Sequence, residues 1–280
     1  MRVGFIGLGS QGGPMARRIV EAGHPTTLWA RRPATLEAFA GTAAAVAASP
    51  AELGAASDIV CVCVVDDAGV EEVVSGPDGV LDGLAEGGTV IVHSTVHPDT
   101  PRRLAERGAA RGVSVLDAPV SGGGPAAEQG RLLVMVGGDA DVLERCRPVL
   151  AAHADPIVHL GPLGAGQVAK LLNNVLFTAN LGAAAGTVAL GRELGVDAAR
   201  LAEVIAHGSG ASFALDRVSA AGGTLDRIAA HAGALLRKDV GLIASLAGPA
   251  AKAPGGVVGA ATDILALMDA RPVTGTDGRR

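Results

Sequence analysis

The stretch Arg2-Val3-Gly4-Phe5-Ile6-Gly7-Leu8-Gly9-Ser10-Gln11-Gly12 decides the fold of this chain. A short apolar run leads into three glycines spaced Gly-x-Gly-x-x-Gly, and a helix-forming segment follows to about Glu21. In such a strand, turn and helix, the first glycine permits the tight turn, the second lets backbone approach a pyrophosphate, and the third lets helix and strand pack closely. The stretch predicts a dinucleotide-binding unit whose cofactor-binding residues are Gly7, Leu8, Gly9, Ser10, Gln11 and Gly12.

Alternating strand and helix patterns fill the rest of the first half. Residues 57–65 and 89–93 are apolar runs of the kind found in parallel strands that are buried on both faces. The carboxyl ends of such strands border the ligand crevice, so we expect Val64, Val65 and Thr95 to line the cofactor. For Thr95, a hydroxyl turn or a helix cap is an equally good account.

The second half carries only helical patterns. Residues 166–195 contain no proline and keep a helical apolar repeat, which predicts a helix of roughly 43 Å at 1.5 Å per residue. Further helices are predicted at about residues 197–206, 212–221, 225–246 and 257–269. The predicted fold class is α/β: a doubly wound, mostly parallel Rossmann sheet over residues 1–162 and an all-α C-terminal domain over residues 163–280, joined by a long interdomain helix.

The middle of the long helix is rich in alanine and glycine, from Asn180 to Gly191, which gives it a smooth surface for close helix packing. Closed symmetric pairing would bury this surface, so a homodimer or homotetramer built through the helical domain is predicted. The alternative is that the helices over residues 197–269 cover the surface within one chain.

The end of the second predicted strand bears on the choice of cofactor. An NAD-specific site carries an acidic residue there for the ribose 2′-hydroxyl, and residues 28–34 contain none. Arg31 and Arg32 stand there instead, and guanidinium groups suit a 2′-phosphate. NADP is therefore the predicted cofactor, with NAD possible. The alternative is that the two arginines only cap the strand in solvent.

A glycine-rich segment, Gly161 to Gly166, leads into the long helix, and Lys170 and Asn174 follow in its first turns. Because they are four residues apart, the two side chains project from one helix face. A lysine near a helix N-terminus meets the positive end of the macrodipole, and dry surroundings disfavour its ammonium form further. Such a lysine can transfer a proton near neutral pH. A surface lysine beside an unrelated asparagine is the alternative.

A second glycine cluster follows a serine at Ser121-Gly122-Gly123-Gly124. Without Cβ atoms, these residues expose backbone N–H groups that can form a small anion site beside the serine hydroxyl. Ser121, Gly122 and Gly123 are therefore candidates for binding a substrate carboxylate. As a bare pattern, the segment is equally consistent with a flexible loop.

The composition disfavours several classes of function. A net charge of −5 with no basic run gives no electrostatic signature of a nucleic-acid or anionic-membrane partner. The N-terminus lacks the features of a signal peptide, so a cytoplasmic location is expected. Cys61 and Cys63 are expected to be reduced thiols packed in a buried strand rather than a disulfide or a metal site. His93 and His97 are discounted as metal ligands because the break at Ser94-Thr95 and Pro98 excludes a continuous helix there.

Four motifs resemble those of the β-hydroxyacid dehydrogenase family, which includes 3-hydroxyisobutyrate dehydrogenases and tartronate semialdehyde reductases. They are the N-terminal glycine motif with Met15, the segment from Asp117 to Gly123, the GxxGxGxxxKxxxN segment from Gly161 to Asn174, and the pair Lys238-Asp239. The resemblance implies that Lys170 is catalytic. It also implies that Ser121, Gly122, Gly123 and Asn174 hold the substrate, and that Val64, Val65, Thr95 and Lys238 line the cofactor.

The chain departs from the family pattern at His231, where an aromatic residue is frequent, and in its altered end after Asp269. These departures concern the distal part of the substrate pocket.

Together, the residues and the resemblance predict an NADP-preferring oxidoreductase. It interconverts a small 3-hydroxy carboxylic acid and its semialdehyde or 3-keto acid by hydride transfer, with Lys170 as general acid and base. Neither nucleic acid, membrane nor metal is a predicted partner. Two alternatives stay open. Imine reductases are similar in fold but typically replace the lysine, and a non-catalytic NADP-binding protein would give Lys170, Ser121 and Asn174 no reason to occur together.

Overall fold

The computed structural model describes residues 1–253 and 255–269. Residues up to Lys170 form one compact unit, and residues from Leu171 onward form a second. The predicted domain boundary after residue 162 remains a prediction. The altered end of the chain after Asp269 lies outside the described residues.

The first unit is built on a six-stranded sheet of order β3-β2-β1-β4-β5-β6, in which every neighbouring pair is parallel. Its strands are β1 (Val3–Ile6), β2 (Thr26–Trp29), β3 (Ala45–Val46), β4 (Ile59–Val62), β5 (Thr89–Val92) and β6 (Ser114–Asp117). The chain proceeds from β1 to β2 and β3 on one side and then returns to place β4 on the other side of β1. The predicted doubly wound sheet is confirmed, and its ligand crevice is expected where the order reverses, at the carboxyl ends of β1 and β4.

Helices cover both faces of this sheet. They are α1 (Gly12–Glu21), α2 (Pro50–Ala55), α3 (Asp67–Ser75), α4 (Val80–Gly83) and α5 (Asp99–Ala109). Every residue of β1, β4 and β5 is buried, and side chains alternate between two cores: Phe5, for example, faces one core and Ile6 the other. Burial on both faces explains the continuous apolar runs in the sequence.

One connector of the first unit is not α-helical. Residues 34–40 are rich in alanine, a composition that favours an α-helix, but Pro33–Phe39 forms a 3₁₀ helix. The segment is a short connector that ends at Gly41, which has a positive φ of 80°. Connectors of this kind frequently adopt the tighter 3₁₀ geometry.

A second, three-stranded sheet completes the first unit. It consists of β7 (Val120–Ser121), β8 (Leu132–Val136) and β9 (Ala154–His159), with α6 (Gly123–Glu128) and α7 (Ala140–Leu150) between them. β7 is antiparallel to β8, which is parallel to β9. Only Ala118 and Pro119 separate β6 from β7, too few residues for the crossover that a parallel neighbour would require. The chain therefore leaves the main sheet at this point.

The second unit is helical throughout its described residues, as predicted. Its helices are α8 (Ala165–Glu193), which joins the two units, α9 (Ala198–Ala206), α10 (Phe213–Ala220), α11 (Asp226–Ala247) and α12 (Val257–Asp269). A 3₁₀ turn over Gly248–Lys252 precedes α12. Asp197 and Ser212 cap α9 and α10 by accepting backbone N–H groups, which fixes where these helices begin.

The core of this unit forms around α8. Leu171, Val175, Leu181 and Val188 are fully buried there. A Cβ atom at Gly182 would overlap the side chain of Ile264, so the missing side chain lets α12 approach α8 closely. By length and composition alone α8 could also cross a membrane, but this is a weak indication because the core helices of soluble proteins meet the same criteria.

Candidate active site

Two glycines of the N-terminal motif are required by close contacts within the protein, and the third leaves its backbone open. Gly7 has a φ of 98°, and a Cβ atom there would overlap the carbonyl oxygen of Cys63 at the end of β4. A Cβ atom at Gly12 would overlap the carbonyl oxygen of Gly7, so glycine is needed where α1 meets β1. At Gly9 a Cβ atom would have no neighbour within 4 Å. The backbone at Gly9 is therefore open to a ligand.

Gln11 gives an independent indication of that ligand. Its Nε2 is buried and has no hydrogen-bond partner in the described part of the chain. Gln11 occupies the N-cap position of α1, where its side chain caps no backbone N–H group. An unpaired amide donor at a helix N-terminus suits an anion. The loop from Gly7 to Gly12 thus fits the pyrophosphate of a dinucleotide.

The ends of β4 and β5 are tied together through a serine. The backbone N–H of Val64 donates to Ser94 Oγ at 2.8 Å. The loop after β5, residues 93–97, is called the Thr95 loop, and Gln167 holds its backbone. Gln167 Nε2 donates to the Ser94 carbonyl at 2.8 Å, and Gln167 Oε1 accepts from the Val96 N–H at 3.0 Å. Thr95 lies between these two anchors, while Val65 is 69% exposed.

Asp117, at the end of β6, fixes the start of α8. Its buried carboxylate accepts the backbone N–H groups of Gly164 at 2.6 Å and Gln167 at 2.7 Å. Burial raises the pKa of Asp117, and these N–H donors and the Arg102 guanidinium oppose that rise. Lys170 follows in the second turn of α8 and is 9% exposed. The lysine is thereby held on a helix whose first turn is anchored to the main sheet.

The second glycine cluster lies beside the first. Gly122 and Gly123 have positive φ values of 126° and 74°, and α6 begins at Gly123. A Cβ atom at Gly124 would lie 3.0 Å from the carbonyl oxygen of Ser10. The candidate carboxylate site and the candidate pyrophosphate site are therefore in contact within the first unit.

Arg31 and Arg32 are exposed at the end of β2. Arg31 Nη2 lies 2.6 Å from Glu72 Oε2 on α3, and both side chains are 64% exposed. An ion pair with that much exposure contributes little to stability. The contact places the Arg31 side chain beside α3.

In the second unit, the other two candidates meet at Asp239. Asn174 Nδ2 donates to Asp239 Oδ2 at 2.6 Å, and Lys238 Nζ lies 3.1 Å from Oδ1. Lys238 and Asp239 are close enough to form an ion pair. The contact is not a hydrogen bond, because Asp239 Oδ1 has no hydrogen-bond partner among the described residues. Asp239 is 4% exposed, so this pairing compensates a buried charge.

Models of known families match both halves of the chain. One, described as the NAD binding domain of 6-phosphogluconate dehydrogenase, matches residues 2–161, and one described as NAD-binding of NADP-dependent 3-hydroxyisobutyrate dehydrogenase matches residues 164–278. The 3-hydroxyisobutyrate dehydrogenase of Pseudomonas aeruginosa is 38% identical over 214 residues, which cover 76% of this chain and 72% of that protein. The chain belongs to the β-hydroxyacid dehydrogenase family.

Two further similarities agree with this assignment. The NAD-dependent L-serine dehydrogenase of Pseudomonas aeruginosa is 37% identical over 215 residues, 77% of this chain and 72% of the relative. The solved structure of Mycobacterium tuberculosis 3-hydroxyisobutyrate dehydrogenase with L-serine matches with a TM-score of 0.83 at 32% identity, covering 96% of this chain and 94% of that one. This β-hydroxyacid dehydrogenase is thus an enzyme, a nicotinamide-dependent oxidoreductase that acts on the CH–OH group of a hydroxy acid.

The fold of this β-hydroxyacid dehydrogenase places the candidate residues in two sets, one in each unit. In the first unit, hydrogen bonds and close contacts connect the glycine loop, Val64, the Thr95 loop, the Ser121 cluster and the helix turn of Lys170. In the second, Asn174 and Lys238 are joined through Asp239. Arg31 and Arg32 follow the end of β2, which is the neighbour of β1 in the sheet.

Sequence reasoning missed three residues. Gln167 carried a signal, since it is a lone polar residue in an apolar stretch three positions before Lys170. Asp117 begins one of the four motifs but had no predicted role, although an acid at the end of a buried strand requires a partner. Glu72 lies on an exposed helix face and carried no signal at all.

Proposed function

We propose that this enzyme prefers NADP and interconverts a small 3-hydroxy carboxylic acid and its semialdehyde or 3-keto acid. The observation that carries the proposal is Lys170, a residue only 9% exposed on a helix turn anchored to the carboxyl ends of β5 and β6. The described relatives act on 3-hydroxyisobutyrate and L-serine, which both carry a hydroxyl group on the carbon β to a carboxylate.

Lys170 Nζ is the proposed general acid and base. In oxidation the neutral amine removes the proton of the substrate hydroxyl, and in reduction the ammonium group returns it. The bound nicotinamide cofactor supplies the hydride chemistry. Asn174 is one helical turn beyond Lys170, so its amide projects from the same helix face and is the proposed second polar contact for the substrate.

The substrate carboxylate is assigned to the Ser121 cluster. Gly122 and Gly123 are exposed, adopt positive φ values and carry no Cβ atom that would obstruct an anion near their backbone. Their contact with the glycine loop, through Gly124 and Ser10, supports substrate binding next to the cofactor.

The preference for NADP rests on Arg31 and Arg32. The end of β2 has no acidic residue for a ribose 2′-hydroxyl, and it presents two exposed guanidinium groups that can bind a 2′-phosphate.

The reaction is tested with purified enzyme, NADP and NADPH, and a panel containing 3-hydroxyisobutyrate, L-serine and C3 to C5 semialdehydes. We expect reduced nicotinamide to form with a hydroxy acid and to be consumed with the matching semialdehyde. Saturable cofactor binding in calorimetry without hydride transfer to any panel member would contradict the proposal. Turnover confined to ketone and amine mixtures would indicate an imine reductase.

We also propose that the enzyme is a homodimer or homotetramer assembled through the second unit. On α8, Leu172, Leu176 and Leu190 are each at least 50% exposed, which is unusual for large apolar side chains on a central helix. Light scattering across a dilution series is the test. A mass of about twice or four times 27.6 kDa is expected, and a mass near 27.6 kDa throughout would contradict the assembly.

A further inference from the structure

Gln167 has no place in the proposed chemistry, yet its side chain is completely buried and both ends of its amide are used. Nε2 donates to the carbonyl of Ser94 at 2.8 Å, and Oε1 accepts the N–H of Val96 at 3.0 Å. The two hydrogen bonds hold the chain on both sides of Thr95. One side chain therefore fixes the backbone of that loop.

The other end of this link is the helix start that carries Lys170. The backbone N–H of Gln167 donates to Asp117 Oδ2 at 2.7 Å, so the residue is anchored to β6 independently of its side chain. Lys170 follows three residues later in the same helix, where the backbone hydrogen bonds of α8 leave little freedom between them. One buried amide thus links the Thr95 loop directly to this helix turn.

The chemistry of the contact is specific to glutamine. The Ser94 carbonyl needs a donor and the Val96 N–H needs an acceptor, and both residues are buried. A methionine of similar length offers neither, which leaves two buried backbone groups unpaired. An ionised glutamate keeps the acceptor for Val96 but sets an oxygen against the Ser94 carbonyl.

We propose that Gln167 is a positioning residue, which sets the Thr95 loop against the helix turn of Lys170. The inference rests on the proposed function, in which Lys170 transfers the proton and Thr95 lines the cofactor. Because Gln167 only aligns the Thr95 loop with Lys170, replacing it slows hydride transfer and has little effect on substrate affinity.

The structural half of the inference is tested in the cofactor-free protein. Hydrogen exchange of a peptide spanning residues 93–97 reports the Val96 N–H, and we expect its protection to drop in Gln167→Met. Gln129→Met is the matched control, because Gln129 is exposed and its side chain contacts only Arg131 in the described hydrogen bonds. Unchanged exchange in Gln167→Met would overturn the inference without reference to activity.

The effect of Gln167 on catalysis is tested by measuring kcat and KM with 3-hydroxyisobutyrate, or with L-serine if that is the better substrate. Misalignment by a fraction of an ångström to 1 Å lowers rates by about 10- to 100-fold, so we expect this loss in kcat for Gln167→Met with less than about a threefold change in KM. In a Thr95→Ala background, the same substitution should lower kcat no further, because both changes act through one loop.

The outcomes separate this inference from the proposed function. Loss of rate in Lys170→Ala or Thr95→Ala, with normal kcat in Gln167→Met, would overturn the positioning role alone. Full activity in Lys170→Ala would overturn the proposed function, while the hydrogen-exchange result would still stand or fall by itself. If Gln167→Met does not fold, kcat and KM are measured for Gln167→Glu, which keeps the acceptor for Val96 and removes only the donor to the Ser94 carbonyl. A normal kcat in Gln167→Glu would then overturn the positioning role.

Discussion

Replacing Gly9 by alanine should separate cofactor binding from folding. Nothing lies within 4 Å of the position where the new Cβ atom would stand, and the φ of Gly9 lies outside the left-handed region. The folded protein therefore accepts the methyl group, and the smaller entropy of the unfolded chain adds about 0.4–1 kcal/mol of stability. The same methyl group fills the space through which a pyrophosphate would reach the backbone. Losing one charge-assisted hydrogen bond of about 1.5–3 kcal/mol weakens NADPH binding roughly 10- to 150-fold.

The assay pairs chemical unfolding of the cofactor-free protein with calorimetric titration of NADPH. Gly12→Ala is the matched control, because its Cβ atom would overlap the carbonyl oxygen of Gly7. Overpacking of this kind costs about 1–3 kcal/mol, so the control should lose stability where Gly9→Ala does not. Unchanged NADPH affinity in Gly9→Ala, or a loss of stability as large as that of the control, would refute the assignment of the glycine loop.

Three other predictions concern protonation, cofactor choice and the second unit. Burial lowers the pKa of His93 to about 4 and that of its neighbour His153 well below 6.5, so the unfolded state binds more protons below pH 6.5 and stability is lost as the pH falls. For His93 alone, the free energy of unfolding should fall by about 2 kcal/mol between pH 7 and pH 5, measured by urea unfolding. An equally large fall in a His93→Phe variant would contradict this prediction. Arg31→Ala should weaken NADPH binding roughly tenfold or more and spare NADH, whereas equal effects on both cofactors would show that Arg31 serves only local structure. Asp239→Ala should cost about 1–3 kcal/mol of unfolding free energy, because it leaves the Asn174 amide without its acceptor. Asp239→Asn retains an acceptor and should cost less; equal losses in the two variants would contradict this pairing.

Most of the fold could be predicted from the sequence, because the spacing of apolar residues reflects which side chains are buried. Residues 57–65 predicted a strand buried on both faces, and β4 lies within that range with all four residues buried. The pattern over residues 166–195 predicted the long helix, which spans Ala165–Glu193. By contrast, the departure of β7 from the main sheet depends on the length of one connection, which periodicity does not record.

The candidate site was predictable only in part, because its supports join distant positions. The glycine motif specifies local geometry: close contacts require glycine at Gly7 and Gly12, and the backbone at Gly9 is open. The Asp117 carboxylate and the N–H of Gln167 are 50 positions apart, and the Gln167 side chain reaches back 71 positions to Val96. Such pairs depend on how sheet and helix pack, and no local pattern encodes them.

The role of Lys170 is tested most directly by kcat for hydride transfer in Lys170→Ala, measured beside the unsubstituted enzyme at saturating NADP with its best hydroxy acid. Removing a general acid and base lowers rates by about 100- to 10,000-fold, and we expect a loss in this range with NADP affinity unchanged. An added primary amine should restore part of the rate by replacing the lost group. Full retention of kcat in Lys170→Ala would contradict the assignment of Lys170 as the proton-transferring residue.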